Sequence, residues 1–413
     1  MATIAILGTM DTKGEEHAFV AAHIKSRGHR VLVIDVGALE PPRLTPDIPR
    51  EIVANAAGVD LAGIVARRDR GEAVAAMSKG APLVLADLHA RRQIDGVISL
   101  GGGGGTAIAT AAMRVLPIGF PKLMVSTLAS GNTSQYVGAK DIVMFPSIVD
   151  VAGLNRISRE ILTRAAGAIC GMVEAVVEPG SDKPIIVASQ FGNTTACVDH
   201  ARKVLEGQGY EVLVFHATGI GGRTMESLIE SGLVSGVLDI TTTEWADELV
   251  GGFLSAGPTR LEAAARNGIP AIVTPGCLDM VNFYGAESVP EKFKGRTFYQ
   301  HNPQVTLMRT TSEECAQLGR IMAEKLNHSR GPLTVLLPTR AISVISAPGQ
   351  SFHDPVADSA LFLALKTSLR PDIPVIEMDC AINDPPFAEA CARELLKNIG
   401  SLAARDLGSV KPA

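Results

Sequence analysis

Along most of the chain, short uninterrupted apolar runs alternate with longer Ala-rich stretches in which apolar residues recur every third or fourth position. The first kind suits strands buried on both faces and the second amphipathic helices. Their alternation marks a parallel sheet covered on both sides. The pattern predicts strands at Thr3 to Gly8, Arg30 to Val36, Gly96 to Leu100, Lys122 to Ser126 and Ile142 to Phe145. Helices are expected at Lys13 to Arg27, Arg70 to Ala90, Thr106 to Leu116 and Asn155 to Val177. At Val177 to Pro184, "VEPGSDKP", the periodicity stops and turn formers cluster, which marks a domain boundary.

Beyond the boundary the pattern restarts. A shift of 181 residues lays "TIAILGTMDTKGEEHAFVAAHIKSRGHRVLVIDVG" on "PIIVASQFGNTTACVDHARKVLEGQGYEVLVFHAT" without a gap. Further on, "DGVISLGGGGG" resembles "SGVLDITTTEW", with Gly96 on Gly236, and "GFPKLMVS" resembles "GIPAIVTP". The fold class that follows is α/β: two Rossmann-like, doubly wound parallel-sheet domains of related topology with a cleft between them, spanning 1–180 and 181–413. The C-terminal stretch departs from the repeat, adding two strand-like runs and two helices, the first opening at Asp354 with Pro355 behind it.

Charge narrows the function classes. Lys plus Arg number 38 against 43 Asp plus Glu, a formal net charge of -5, which argues against a protein that coats nucleic acid. The six cysteines lie far apart with no C-x-x-C pair, fitting neither a zinc cage nor a disulfide framework, so a reducing cytoplasm is expected. The first residues, "MATIAILGTMDTKGEE", read as a strand rather than a signal peptide, and no apolar run approaches the roughly 18 residues of a membrane span. No membrane partner is expected.

Candidate chemistry begins with "SLGGGGGTAIATAAM", Ser99 to Met113. Glycines between a strand end and a helix start leave backbone N–H groups bare beside the positive end of the helix dipole, a layout that suits phosphate. Gly102, Gly103, Gly104 and Gly105 form this nest, and the Thr106 hydroxyl can cap the helix or touch an oxygen. A Walker loop would close on Lys and Ser or Thr, and a dinucleotide fingerprint would place glycine at Thr106; neither fits. In "GTMDTKGEE", Asp11 and Thr12 are good N-caps, while Lys13 in a first helical turn opposes the dipole unless an anion sits there. Asp35 closes the second strand, where an acid can accept from ribose hydroxyls, and Arg70 at a helix start can clamp phosphate or stack on a base.

Taken together, "GTMDTK", "RGEAVAAMSKG", "DGVISLGGGGGTAIAT", "LPIGFPKLMVSTLASGNTSQYVG" and "FPSIVDVAG" resemble the ATP-binding domain family of the tomato mosaic virus resistance protein, which has many bacterial members. The resemblance covers most of the first half and extends into the second through "PGQSFHDPVAD". It implies two Rossmann-like subdomains, a dimer, and ATP with Mg2+ held in the first subdomain. The nucleotide would lie against Asp11, Thr12, Lys13, Arg70 and the glycines from Gly102 to Gly105. Family members can carry a hydroxyl side chain near Ala38, where this chain offers only backbone.

In the second half, "GNTTACVDH" falls where the repeat places "DTKGEEHAF", so Asn193 and Thr194 are candidates for holding a carboxylate or phosphate. "SFHDPVAD" supplies His353 and Asp358, candidates for an acid or base, with Arg340 and His301 as possible companions in binding. Cys277 follows a strand and is a candidate nucleophile. No metal ligands are assigned. The expected function is Mg-ATP binding coupled to binding or modification of a small acidic metabolite. The alternatives are a nucleotide-independent hydrolase or lyase for a sugar acid or phosphorylated metabolite, and a non-catalytic ATP-dependent regulatory protein.

Overall fold

The apolar runs become strands because they carry hydrophobic side chains on both faces, and only a sheet covered on both sides buries them all. The computed structural model describes residues 1–176, 178, 180 and 183–409, with 403–409 as backbone alone. It divides into two units, Met1–Pro179 and Gly180–Ala413. Of the boundary stretch read from the sequence, Val177, Pro179, Ser181 and Asp182 lie outside the described residues.

In unit 1 the order is β1 (Thr3–Gly8), α1 (Met10–Ser26), β2 (Arg30–Asp35), α2 (Arg50–Ala56), α3 (Leu61–Arg67), α4 (Arg70–Ala90), β3 (Gly96–Gly101) and α5 (Gly103–Met113). It continues with β4 (Lys122–Ser126), α6 (Ser134–Val137), β5 (Val143–Pro146) and α7 (Arg156–Glu174). All strands pair in parallel in the order β2-β1-β3-β4-β5. Ile4, Ile6, Ile98 and Leu100 meet α1 and α7 on one face, while Ala5, Leu7, Val97 and Met124 meet α4 and α5 on the other. The sheet is doubly wound, and its strand order reverses between β1 and β3, which opens a crevice at their C-terminal ends.

Unit 2 runs β6 (Ile185–Gln190), α8 (Thr195–Gly207), β7 (Glu211–His216), α9 (Ile220–Glu230), β8 (Val234–Thr241), α10 (Glu244–Val250), α11 (Ala263–Asn267) and β9 (Ala271–Gly276). After β10 (Met280–Phe283), β11 (Phe298–Asn302), β12 (Val305–Arg309) and α12 (Ser312–Leu326) come β13 (Leu333–Pro338), α13 (Pro355–Ser368), β14 (Val375–Met378) and α14 (Pro385–Ser409). Its parallel sheet is β14-β13-β9-β8-β6-β7, the plan of unit 1 with one strand added. The reversal falls between β6 and β8. Asp354 caps α13 by accepting from the Ala357 amide at 3.0 Å, with Pro355 behind it.

The repeat extends to backbone detail. Lys13 breaks the helical geometry of α1 with φ -128° and ψ 25°, and Thr194, which the 181-residue shift aligns with it, has φ -128° and ψ 7°. Three features depart from the sequence reading. The helix α1 starts at Met10 with Thr9 at its cap, so Asp11 and Thr12 sit in its first turn rather than capping it. The helix α5 starts at Gly103 and takes three glycines of the run into its first turn. The antiparallel sheet β10-β12-β11 was not expected. Among the described residues, no helix is long and apolar enough to cross a membrane.

A single lysine interrupts the apolar run of β4. Lys122 is fully buried, and its ammonium donates to the carbonyls of Pro117 and Phe120 at 2.7 and 2.8 Å and pairs with Asp141 at 2.7 Å. Lys122→Met removes all three charge-assisted bonds while keeping the volume. It should lower unfolding free energy by at least about 2 kcal/mol in urea melts.

Candidate functional site

At the strand-order reversal of unit 1 lies a cavity of about 340 Å3, lined by residues that follow β1, β2 and β3 and by the first turns of α4 and α5. The size lies within the range of small-molecule sites. One wall is apolar, formed by Val36, Ala38, Leu39, Ala73, Val74 and Ile108, and the rest is polar, with Thr9, Thr12, Lys13 and Arg70.

Three helices present their N-termini near this cavity. In α5 the Thr106 amide is the first to find a carbonyl, that of Gly102 at 2.8 Å. The amides of Gly103, Gly104 and Gly105 have no acceptor among the described residues. Protein packing does not account for the run of glycines. A Cβ on Gly103 would meet nothing within 4 Å, and one on Gly105 only the Leu100 carbonyl at 3.6 Å. One on Gly102 would approach Thr127 Oγ1 at 3.7 Å, and none of these residues has a positive φ. Only Gly101, whose Cβ would come 3.1 Å from Gly105 Cα, and Gly104, at 3.2 Å from Val74 Cγ2, are tightly packed. Bare amides at a helix start with open space before them form an anion cradle.

Arg70, the first residue of α4, is exposed and makes no hydrogen bond or ion pair among the described residues. Its Nη2 lies 4.0 Å from where a Gly104 Cβ would stand. Lys13 lines the same cavity and sends one N–H to the Val151 carbonyl, leaving the ammonium's other donors available. Its backbone carbonyl accepts from His17 Nδ1 at 2.7 Å, and the His17 ring fills the space where Gly8 lacks a Cβ. Burial lowers the His17 pKa, so the ring is neutral. Asp11 is 2 % exposed. Its Oδ2 accepts from the Leu39 amide at 3.0 Å and the Glu40 amide at 3.3 Å, while Oδ1 has no partner.

Two expected contacts are placed elsewhere. Asp35 is fully buried below the cavity, where its Oδ1 accepts from Met10 and Gly37 amides at 3.0 and 2.8 Å, so it braces the strand exits rather than facing a ribose. Burial, with the neighbouring Asp11 charge adding, pushes its carboxyl upward in pKa. Thr106 is also fully buried, with its hydroxyl 2.7 Å from Ser126 Oγ, and ties α5 to β4 instead of capping the helix. Ala38 lines the apolar wall. The sequence reading missed Thr9 and Asp150 as lining residues. Thr9 was legible as the residue between a strand end and a helix start; Asp150 lies in the motif "FPSIVDVAG", but nothing adjacent to it marks it as facing a cavity.

The equivalent place in unit 2 is filled. Where unit 1 has its glycines, unit 2 has Thr241, Thr242, Thr243, Glu244 and Trp245, all buried. Glu244 Oε1 accepts from the Gly219 and Gly222 amides at the start of α9, at 2.7 and 3.1 Å, and Oε2 accepts from Arg260 Nε at 2.7 Å. Arg260 also forks onto Asp239 at 2.5 and 2.6 Å and reaches Glu226 at 3.2 Å. Asn193 and Thr194 are buried beside this group: Thr194 Oγ1 lies 2.7 Å from Thr241 Oγ1, and the Asn193 carbonyl accepts from Asn383 at 2.9 Å.

The remaining candidates are not gathered into one site. Cys277 is fully buried against Met280, Leu307, Ile345 and Phe352, and burial pushes its thiol well above the ordinary value, away from a nucleophilic thiolate. Arg340 is exposed and doubly bonded to Asp379 at 2.8 and 2.9 Å. His353 is exposed, with Nδ1 3.1 Å from the Ser346 carbonyl, and His301 is exposed on β11. Asp358 is buried and committed to Arg309 at 2.6 Å. Among the described residues, no group of three or more His, Cys, Asp and Glu is arranged to hold a metal ion. The carboxylates in the unit 1 cavity wall are Asp11 and Asp150.

Residues 2–178 match the N-terminal domain, and residues 183–399 the C-terminal domain, of the uncharacterised protein family UPF0261. The chain belongs to this family. A UPF0261 protein of Clostridium tetani is 50% identical over 395 residues, covering 95% of this chain and 98% of that one. The ToMV resistance protein Tm-1 of Solanum lycopersicum is 38% identical over 417 residues, which is 95% of this chain and 55% of the tomato protein. The resemblance read from the motifs is therefore borne out at the level of the family. Among solved structures, a UDP-N-acetylglucosamine 2-epimerase from Rickettsia bellii aligns over 99% of both chains at 12% identity and a TM-score of 0.23.

Asp358 gives unit 2 a pH signature. Burial pushes its carboxyl up to about 7, with Arg309 pulling down and Asp279 adding to the rise. A carboxyl whose pKa is higher folded than unfolded, where it is about 3.9, favours the fold most below the unfolded value and loses that contribution as pH climbs through the folded one. The urea midpoint should fall between about pH 4 and pH 7 on this account. Asp358→Asn should remove part of that slope; Asp247, also raised by burial to about 7, and the raised carboxyls of Asp35, Glu226 and Asp279 keep the rest.

Proposed function

We propose that unit 1 binds ATP with Mg2+ in the cavity at the β1/β3 reversal. The observation that carries this reading is the set of three unpartnered amides of Gly103, Gly104 and Gly105 beside the unpaired Arg70. Phosphate oxygens are matched by those amides, by Arg70 and by Lys13, whose charge in a first helical turn is unfavourable without an anion. The apolar wall of Val36, Ala38, Leu39, Ala73, Val74 and Ile108 offers a planar base the burial it needs. The oxygen donors present fit magnesium, which usually takes one or two carboxylates and completes its shell with phosphates and water. Asp11 and Asp150, the carboxylates of the cavity wall, are the residues that would hold it, and the ion would neutralise phosphate charge. The dimer implied by the family resemblance belongs to the same proposal.

A second reading, in which ATP is bound and stabilises a conformation without turnover, is favoured by the composition of the cavity wall. Its lining residues include no His, Cys or Glu. In unit 2 the acid-base candidate Asp358 is engaged by Arg309 and the binding candidate Arg340 by Asp379.

Calorimetry with ATP and Mg2+ should give saturable binding. Arg70→Ala, Lys13→Ala and Gly103→Val should each weaken it at least tenfold, about 1.4 kcal/mol, with unchanged melting temperature. Full affinity in all three rejects this placement. Phosphate release at background in the presence of acidic metabolites supports binding without turnover. Stabilisation by sugar phosphates but not by ATP points to a nucleotide-independent hydrolase or lyase.

A further inference from the structure

The two units carry the same anion-binding place in two states, one open and one closed by the chain itself. With Gly96 on Gly236, the ungapped alignment puts Gly104 on Glu244, and both residues stand in the first turn of the helix that follows the switch strand, α5 or α10. In each unit this position faces the first turns of the helix that leads into the switch strand. A Gly104 Cβ would point at Val74 and Arg70 of α4. Glu244 does point at α9: its Oε2 occupies a spot 2.1 Å from where a Gly222 Cβ would stand, and its Oε1 takes the amides of Gly219 and Gly222.

We propose that Glu244 is a built-in anion that permanently occupies the unit 2 site. A ligand's phosphoryl group takes the corresponding place in unit 1, between Gly104, Arg70 and the start of α4, and each chain therefore has one phosphate site rather than two. The identity of the ligand rests on the ATP reading above; the place itself needs only a phosphoryl oxyanion.

The unit 2 arrangement shows what this geometry accepts. Its carboxylate receives two helix-start amides and an arginine, and is 1 % exposed. Unit 1 supplies the same donor types. The amides of Arg70 and Gly71 have no acceptor among the described residues, those of Gly103 to Gly105 have none, and the Arg70 guanidinium is unpaired. What unit 1 lacks is the carboxylate, because the aligned residue has no side chain. A second, independent sign of a ligand is Asp11, which lines the same cavity, is 2 % exposed and keeps Oδ1 without a partner. Its carboxylate accepts only, and one of its oxygens, packed against Gly37, is left unfilled among the described residues, which suits the cation or hydroxyl that accompanies a phosphorylated ligand. Gly104 thus determines whether the place is open, and it is the residue at which a glutamate side chain would close it.

The test uses the full chain with tripolyphosphate and with ATP and Mg2+ as probes, read by calorimetry and thermal melting. Wild type should bind one tripolyphosphate per chain. Gly104→Glu, in which only the ends of the Val74 and Arg70 side chains must move, should fold, lose at least 100-fold in affinity and no longer be stabilised by the probe. Gly104→Gln, equal in length but uncharged, should bind at least tenfold better than Gly104→Glu. Two sites per chain in wild type, no tripolyphosphate binding, or equal affinities of the Glu and Gln variants would overturn the proposal. The wild-type stoichiometry decides if Gly104→Glu does not fold. Tripolyphosphate binding that is lost in Gly104→Glu, with ATP binding no tighter than tripolyphosphate, would leave this proposal standing and defeat the nucleotide reading.

Discussion

A parallel doubly wound sheet points the first amides of its crossover helices at one edge, and at the strand-order reversal no neighbouring crossover covers them. Something must accept those hydrogen bonds. The chain answers this constraint differently in its two halves. Unit 2 folds a glutamate into the gap and closes it with Arg260, Asp239 and Glu226, whereas unit 1 removes its side chains and leaves the gap as a cavity. The difference is one of side-chain content. The strand order, the position of the switch and even the break in helical geometry at Lys13 and Thr194 are common to both.

Closing the gap has a cost that explains the size of the unit 2 cluster. A buried carboxylate needs a cation, and a buried cation needs its donors filled. Arg260 is 1 % exposed and meets three acidic side chains, Asp239 by a two-pronged contact. Burial, opposed by the Arg260 charge, still leaves Glu226 raised in pKa, so the group is not an even exchange of charge. Glu226 is nevertheless anchored through the Leu261 and Ala263 amides at 2.8 Å each, which ties the cluster to the chain entering α11. Such a network fixes geometry more than it adds stability. In unit 1 the aligned residue of Asp239 is Ser99, whose buried hydroxyl has no partner among the described residues and carries no charge to hold an arginine.

Much of this was legible before the fold. Uniformly apolar runs bounded by Gly, Pro or charge gave β1 and β4 to the residue, because burial on both faces leaves no alternation to misread. The β10-β12-β11 sheet was missed for the opposite reason: β11, "FYQHN", is mostly exposed and short, so neither its composition nor its period marks a strand. The short helices α2 and α3 carry too few turns to set a period. Of the residues lining the cavity, Lys13, Arg70, Gly102 and Gly105 stand out in the sequence because each is anomalous locally. Asp35 and Thr106 were misplaced because their partners, Met10 and Ser126, lie 25 and 20 residues away and leave no mark in the neighbouring sequence.

Glu244 was legible in a way that only the repeat makes visible. Alone, "TTTEW" is a polar turn before a short helix, and nothing in it separates a solvated acid from a buried one. Set against the glycine run of the other half, it is an acid at the position where the aligned chain has no side chain at all. One sequence thus poses the same steric question twice and gives two answers. The Gly222 hydrogen that faces Glu244 belongs to the closed answer, since a Cβ there would sit 2.1 Å from the carboxylate. Gly103 and Gly105 belong to the open one, since nothing in the fold forbids them a side chain. A glycine that its own protein does not require leaves room for something from outside, and in this chain that room lies beside the cavity of unit 1.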